Sequence, residues 1–157
     1  REEFERRIKD WVEQHSTNPF LVETHENSMK LLEKAILEND IDTIRKALQG
    51  RFLAIKSRAV KALTKLDDKA SIPDLVQLLK ANQGLIDGGS EIQYEQNHLN
   101  KVIVLGLEKL TDVKFEATEK VLDGDGRSYS PLSPEDIQEI VEKIENWNQK
   151  NSGERGN

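Results

Sequence analysis

Apolar positions along this chain fall into helical stripes separated by polar punctuation. In REEFERRIKDWVEQH, Phe4, Ile8, Trp11 and Val12 recur at spacings that put them on one side of a helix. STNPF interrupts it, because the residue before Pro19 is biased away from helix. Met29, Leu31, Leu32, Ala35 and Ile36 predict a second helix over 26–38. Asp40 is placed to cap a short third one, IDTIRKAL, with Ile41, Ile44 and Leu48 on one face and Gly50 as its end. The clearest helix is RFLAIKSRAVKALTKL, where Phe52, Ile55, Ala59, Ala62, Leu63 and Leu66 cover about a third of the circumference. Asp67-Asp68-Lys69-Ala70-Ser71 then leaves room only for a tight turn. Pro73 sits in the first turn of a return helix, which buries Leu75, Leu78 and Leu79. Two helices joined this closely predict an antiparallel hairpin.

The pattern recurs. A shift of 44 residues lays KALTKLDD (61–68) over LGLEKLTD (105–112), with Ala62 on Gly106, Leu63 on Leu107 and Leu66 on Leu110. A further return helix is predicted in SPEDIQEIVEKIENW, with Ser133 as N-cap, Pro134 in the first turn and Asp136 completing a capping box. Its stripe is Ile137, Ile140, Val141, Ile144 and Trp147. A period of about 40–45 with two helices per unit is the signature of a helical repeat.

On these residues the chain resembles the HEAT-repeat family, in particular short bacterial HEAT proteins related to the phycobilin-lyase repeats. Residues 58–81 carry the likeness best: Arg58-Ala59 and Ala62-Leu63, then Asp67-Asp68, then Ile72-Pro73 with Leu75, Leu78 and Leu79. Residues 98–150 follow with an insertion of 18 residues, and Trp147 is similar to a C-terminal cap. Residues 1–50 diverge and show no clear HEAT turn. The resemblance implies an all-α fold, a short right-handed α-solenoid of antiparallel hairpins with about seven helices. It implies one domain over 1–150, with 151–157 as a disordered tail, and a general binding role without catalytic residues.

Composition narrows the chemistry. Of 157 residues 36% are apolar and 33% charged, enough for one domain whose apolar positions are used as stripes. The absence of cysteine excludes disulfides, thiolate nucleophiles and Cys-ligated zinc. A net charge of −6 argues against nucleic acid as a partner. No run is long enough to span a membrane. The sequence opens on Arg1 rather than Met, so the lack of an export signal says nothing about the compartment; the cytoplasm is the expectation, with the periplasm or export as the alternative where a signal has been removed.

Active-site groupings are thin. His15, His25 and His98 have no histidine neighbour at helical spacing, so no His-x-x-x-His metal face exists. The loop LDGDGRSYS alternates Asp123 and Asp125 with glycine like the start of a calcium loop. Arg127 and Pro134 occupy positions where further ligands belong, and the loop reads as a solvent-exposed turn. The loop 83–91 lacks the spacing and lysine of a phosphate loop. Neither enzyme activity nor a cofactor is expected.

The expected function is a protein- or peptide-binding scaffold, monomeric, with a surface of Asp74, Gln77 and Lys80 on the return helix. Arg51, Arg58, Lys61 and Lys65 form a basic stripe, opposed in sign by the acids of 133–147. Tyr94 and Tyr129, in the irregular stretches 82–97 and 111–132, complete the candidate contacts. Two alternatives stand beside it: a lyase-repeat-like accessory protein that binds a chromophore or small ligand, and nucleic-acid binding through the 51–65 stripe.

Overall fold

A computed structural model describes residues 2–16, 18–81, 89–119 and 132–155. Its regular elements are all helical, with no strand among the described residues. They are α1 (Glu2–Ser16), α2 (His25–Leu37), α3 (Ile41–Ala47), α4 (Leu53–Lys65), α5 (Ile72–Ala81), α6 (Gly89–Thr111) and α7 (Pro134–Arg155). Single 3-10 turns at Pro19–Leu21 and Lys69–Ser71 precede α2 and α5.

The caps follow from the side chains at the breaks. Thr24 Oγ1 accepts from Asn27 N at 3.2 Å, and Asp40 Oδ1 accepts from Thr43 N at 3.3 Å, so α2 and α3 each start on a satisfied donor. Ser133 and Asp136 form the reciprocal box at α7: Ser133 N donates to Asp136 Oδ2 at 2.8 Å, and Asp136 N to Ser133 Oγ at 3.1 Å. Gly50 plays a different part from the one its position suggests. A Cβ there would lie 2.7 Å from Phe20 Cβ and 3.1 Å from Phe20 O, so the glycine is needed for close approach to the backbone of buried Phe20 rather than for a left-handed helix end.

α2, α4 and α6 are each followed by a residue in the left-handed region: Asn39 (φ 53°), Asp67 (φ 55°) and Asp112 (φ 58°). Short polar side chains tolerate this conformation best after glycine. The first two turns are closed identically. Asp40 N donates to Ala35 O at 2.8 Å and Asn39 N to Ile36 O at 3.2 Å; Asp68 N donates to Leu63 O and Asp67 N to Thr64 O, both at 3.1 Å. These are paired Schellman bonds 28 residues apart. The same offset lays buried Leu32, Ala35, Ile44, Ala47 and Leu48 over buried Val60, Leu63, Ile72, Leu75 and Val76. The break expected at Asp40 is therefore a tight turn of the same form as the one at Asp67-Asp68, although 1–50 lacks the sequence pattern of that repeat.

Two other stretches differ from expectation. Residues 89–97 are helical, so α6 is 23 residues long and carries Tyr94 on a helix rather than in a loop. α7 runs to Arg155, into the stretch assigned to a tail.

The core is continuous from Phe20 through Leu32, Ile44, Leu63, Leu79 and Leu107 to Ile140. Full burial of each large apolar side chain is worth about 1.5–3 kcal/mol. The offset of 44 holds through the core: Leu63 and Leu107 are both 0% exposed. Along the chain, α2 packs on α3 and α4, α3 on α4, α4 on α6, and α5 on α6 and α7. Among the described residues the α4–α6 contact is the most extensive, and at Gly106 it is close. A Cβ on Gly106 would lie 2.6 Å from Thr64 Oγ1 and 3.6 Å from Val60 Cγ1. Thr64 Oγ1 donates to Val60 O at 2.8 Å, which fixes the hydroxyl in that narrow space.

One polar cluster ties the N-terminal helices to the next turn. Arg45, on α3, donates from Nε to Asp68 Oδ2 at 2.9 Å and from Nη2 to Oδ1 at 2.8 Å. The buried Ser71 hydroxyl accepts from Arg45 Nε at 3.2 Å and itself donates to Asp68. Two-pronged, charge-assisted contacts like this one fix geometry as well as adding energy.

Candidate functional site

α5 and α7 touch but do not close on each other. Between them lies an open groove of about 550 Å³. Its apolar lining is Ile72, Pro73 and Val76 from α5 and Val141, Ile144 and Trp147 from α7. These arise from sequence directly: positions 72, 73 and 76 share one side of α5, while 141, 144, 147 and 148 share one side of α7. Lys69, Gln77 and Lys80 edge the α5 side; Glu145, Asn148 and Asn151 edge the α7 side. Asn151 Nδ2 donates to Trp147 O at 2.7 Å, which holds that wall. At about 1.5 Å per residue the stretch from Lys69 to Lys80 gives a groove about 16 Å long.

The arrangement can seat apolar side chains on its floor and polar or charged groups along its edges, which is what peptide recognition needs. Among the described residues no group of three or more His, Asp and Glu side chains is placed to hold a metal ion. No helix among them is long and apolar enough to cross a membrane.

Gln77 and Lys80, expected as contact residues, are exposed and line this groove. Asp74, expected beside them, is half-buried in the first turn of α5 and does not line it. Trp147, expected as a cap, forms part of the groove wall. The signal for that role was the run Trp147-Asn148 with Asn151, where amides replace the charges of the preceding turns.

The basic stripe is dispersed into separate roles. Arg51 donates to Glu23 O at 2.6 Å and lies over the Phe52 ring at 5.0 Å. Arg58 pairs with Glu33 of α2, with Nη2 to Oε2 at 2.9 Å, and this hydrogen bond holds its guanidinium protonated above its ordinary range. Lys65 lies exposed in the last turn of α4. Lys61 bears on His98 of α6 instead. Burial, then Lys61, then Lys101 push the His98 imidazole below its ordinary value, so the neutral ring is favoured. Tyr94 stacks on that ring at 6.4 Å.

Glu139 on α7 anchors the chain after α6. Its carboxylate accepts from Glu116 N at 2.7 Å, Ala117 N at 3.2 Å and Lys143 Nζ at 2.8 Å. Burial alone would raise its pKa; the bonds from Lys143, Glu116 and Ala117 outweigh it and lower the value. Asp123, Asp125 and Tyr129 lie outside the described residues.

Set against family models, curated proteins and solved structures, the chain matches none.

Proposed function

We propose that the chain is a non-enzymatic protein- or peptide-binding scaffold, built as a short right-handed solenoid of HEAT-like hairpins. The order of contacts supports the architecture: α2, α4 and α6 neighbour one another in sequence, and α5 neighbours α7. The identical turns after α2 and α4 support it further. The observation that carries the function is the α5–α7 groove, with Trp147 and Val76 in its walls and Gln77 and Lys80 at its edge.

Selection of displayed twelve-residue peptides on the immobilised chain tests it. Enriched peptides are expected to lose at least tenfold in affinity on Trp147→Ala and to be unaffected by Lys109→Glu on α6. Failure to enrich any sequence, or binding indifferent to Trp147, defeats the reading.

The groove volume also lies within the range of small-molecule sites, roughly 300–1,000 Å³, which favours a second reading as a carrier of a small ligand. Thermal stabilisation by a metabolite or chromophore, with no peptide enriched, would select it.

A further inference from the structure

We propose that the α5–α7 groove takes its ligand as an extended, acidic peptide segment of about five residues, and that a helix does not enter it. This inference rests on the groove as a peptide site and names the form and the charge of the peptide.

The first observation is width. Spread over a length of about 16 Å, the groove's volume of about 550 Å³ makes a channel roughly 6 Å across. An α-helix with its side chains measures about 10–12 Å across, so it can only rest on the rim. An extended chain lies about 5 Å from its neighbours and advances about 3.3 Å per residue, so about five residues fit lengthwise. Alternate side chains then reach the floor between Val76 and Ile144, and those between them point outward.

The second is the state of the carboxamides. Gln77 on α5 and Asn148 on α7 are exposed and line the groove from its two sides, and neither makes a hydrogen bond to another described residue. Asn151, by contrast, is held to Trp147 O. A free carboxamide both donates and accepts, which matches the two needs of a peptide unit. An extended segment arrives with its N–H and C=O groups unpaired, whereas a helix pairs them internally. Only the extended form can use both carboxamides through its backbone.

The third is charge. Lys69 and Lys80 stand at the two ends of the α5 edge, both exposed and neither in an ion pair with a described residue. Asp74, the acid of α5, does not line the groove, and Glu145 on α7 is the one acid of the described lining. Two cations against one anion leave the lining at +1 on a chain whose net charge is −6. Carboxylates are therefore favoured at outward positions beside α5, about four residues apart to meet the two lysines.

Two displayed peptide libraries, selected on the immobilised full chain, test it. In one, proline at every third position forbids helix; in the other, a cross-link from i to i+4 enforces it. Enrichment is expected from the proline library, with Asp and Glu outnumbering Lys and Arg at outward positions. A synthetic copy of the most enriched peptide should bind at least tenfold more weakly to Gln77→Leu/Asn148→Leu and to Lys69→Glu/Lys80→Glu, with the urea midpoint of each variant unchanged. Exchanging the peptide's acids for lysine should restore its binding to Lys69→Glu/Lys80→Glu. Enrichment from the cross-linked library alone, no excess of acids, or binding indifferent to the loss of both carboxamides each overturns the proposal. Trp147-dependent binding in those outcomes leaves the peptide reading of the groove standing, whereas failure of both libraries removes the two together.

Discussion

The α4–α6 contact and the α5–α7 contact lie in the same molecule and are built on opposite terms. Between α4 and α6 the helices approach until only glycine fits at 106, against a threonine held by its own backbone bond. Between α5 and α7 larger side chains, Val76, Ile144 and Trp147, leave about 550 Å³ of open space. Packing quality is thus spent where the chain must be rigid and withheld where it can receive something. The two contacts should answer mutation differently.

The sharpest break is Gly106→Val, which forces a branched side chain into the space of Thr64 Oγ1. We expect about 3 kcal/mol of lost stability, read as a lower urea midpoint. Gly106→Ala should cost less, because alanine returns about 1 kcal/mol of helix propensity, and adding Thr64→Ala should recover most of the remainder. Asp68→Ala removes the partner of Arg45 and Ser71 and should cost about 2 kcal/mol, since a charged, partly buried fork is left without its acceptor. Glu139→Gln should cost about 1 kcal/mol by weakening the anchor at Glu116 and Ala117.

The pH dependence has two limbs of known sign. His98 is lowered from 6.5 in the native state, so the unfolded chain takes up the proton first. Stability should fall as pH drops from about 6.5 toward the lower native value, and His98→Gln should flatten that limb. Glu139 is lowered from 4.5, so its contribution is present above that value and lost as pH falls through the native one. Both groups retain solvent contact, so each limb should be under about 1 kcal/mol. At the groove edge, Gln77→Glu and Lys80→Glu should change stability by no more than about 0.5 kcal/mol. A large loss there would mean the two contacts are alike after all.

The helices around Leu63 and Leu107 were legible because apolar residues at helical spacing leave no other way to bury them. The capping box of Ser133 and Asp136 was legible for the same local reason. The break at Asn39-Asp40 and its Asp40 cap were legible, but not the form of the turn, since asparagine and aspartate mark many kinds of loop and only the bonds back to Ala35 and Ile36 reveal this one. Helix over 89–97 was missed because Gly88 and Gly89 read as punctuation while the polar residues after them carry no stripe. The groove was half visible. Gln77 and Lys80 stand out on the exposed side of α5, but α7 reaches them only through tertiary packing, which helical periodicity does not encode. Along the basic stripe, Arg51 and Arg58 look alike in sequence and hydrogen-bond to different partners, which spacing alone does not distinguish.

The paired bonds after α2 and α4 reach back only a few residues, which bears on how the chain assembles in time. Loops this short close in well under a microsecond, at negligible entropic disadvantage compared with bringing α7 to α5 across some 65 positions of sequence. Changes near Asn39 or Asp67 should therefore slow refolding, whereas changes at Val141 or Ile144 should mainly hasten unfolding. The recess beside Trp147 would be the last part to take shape and the first to come apart.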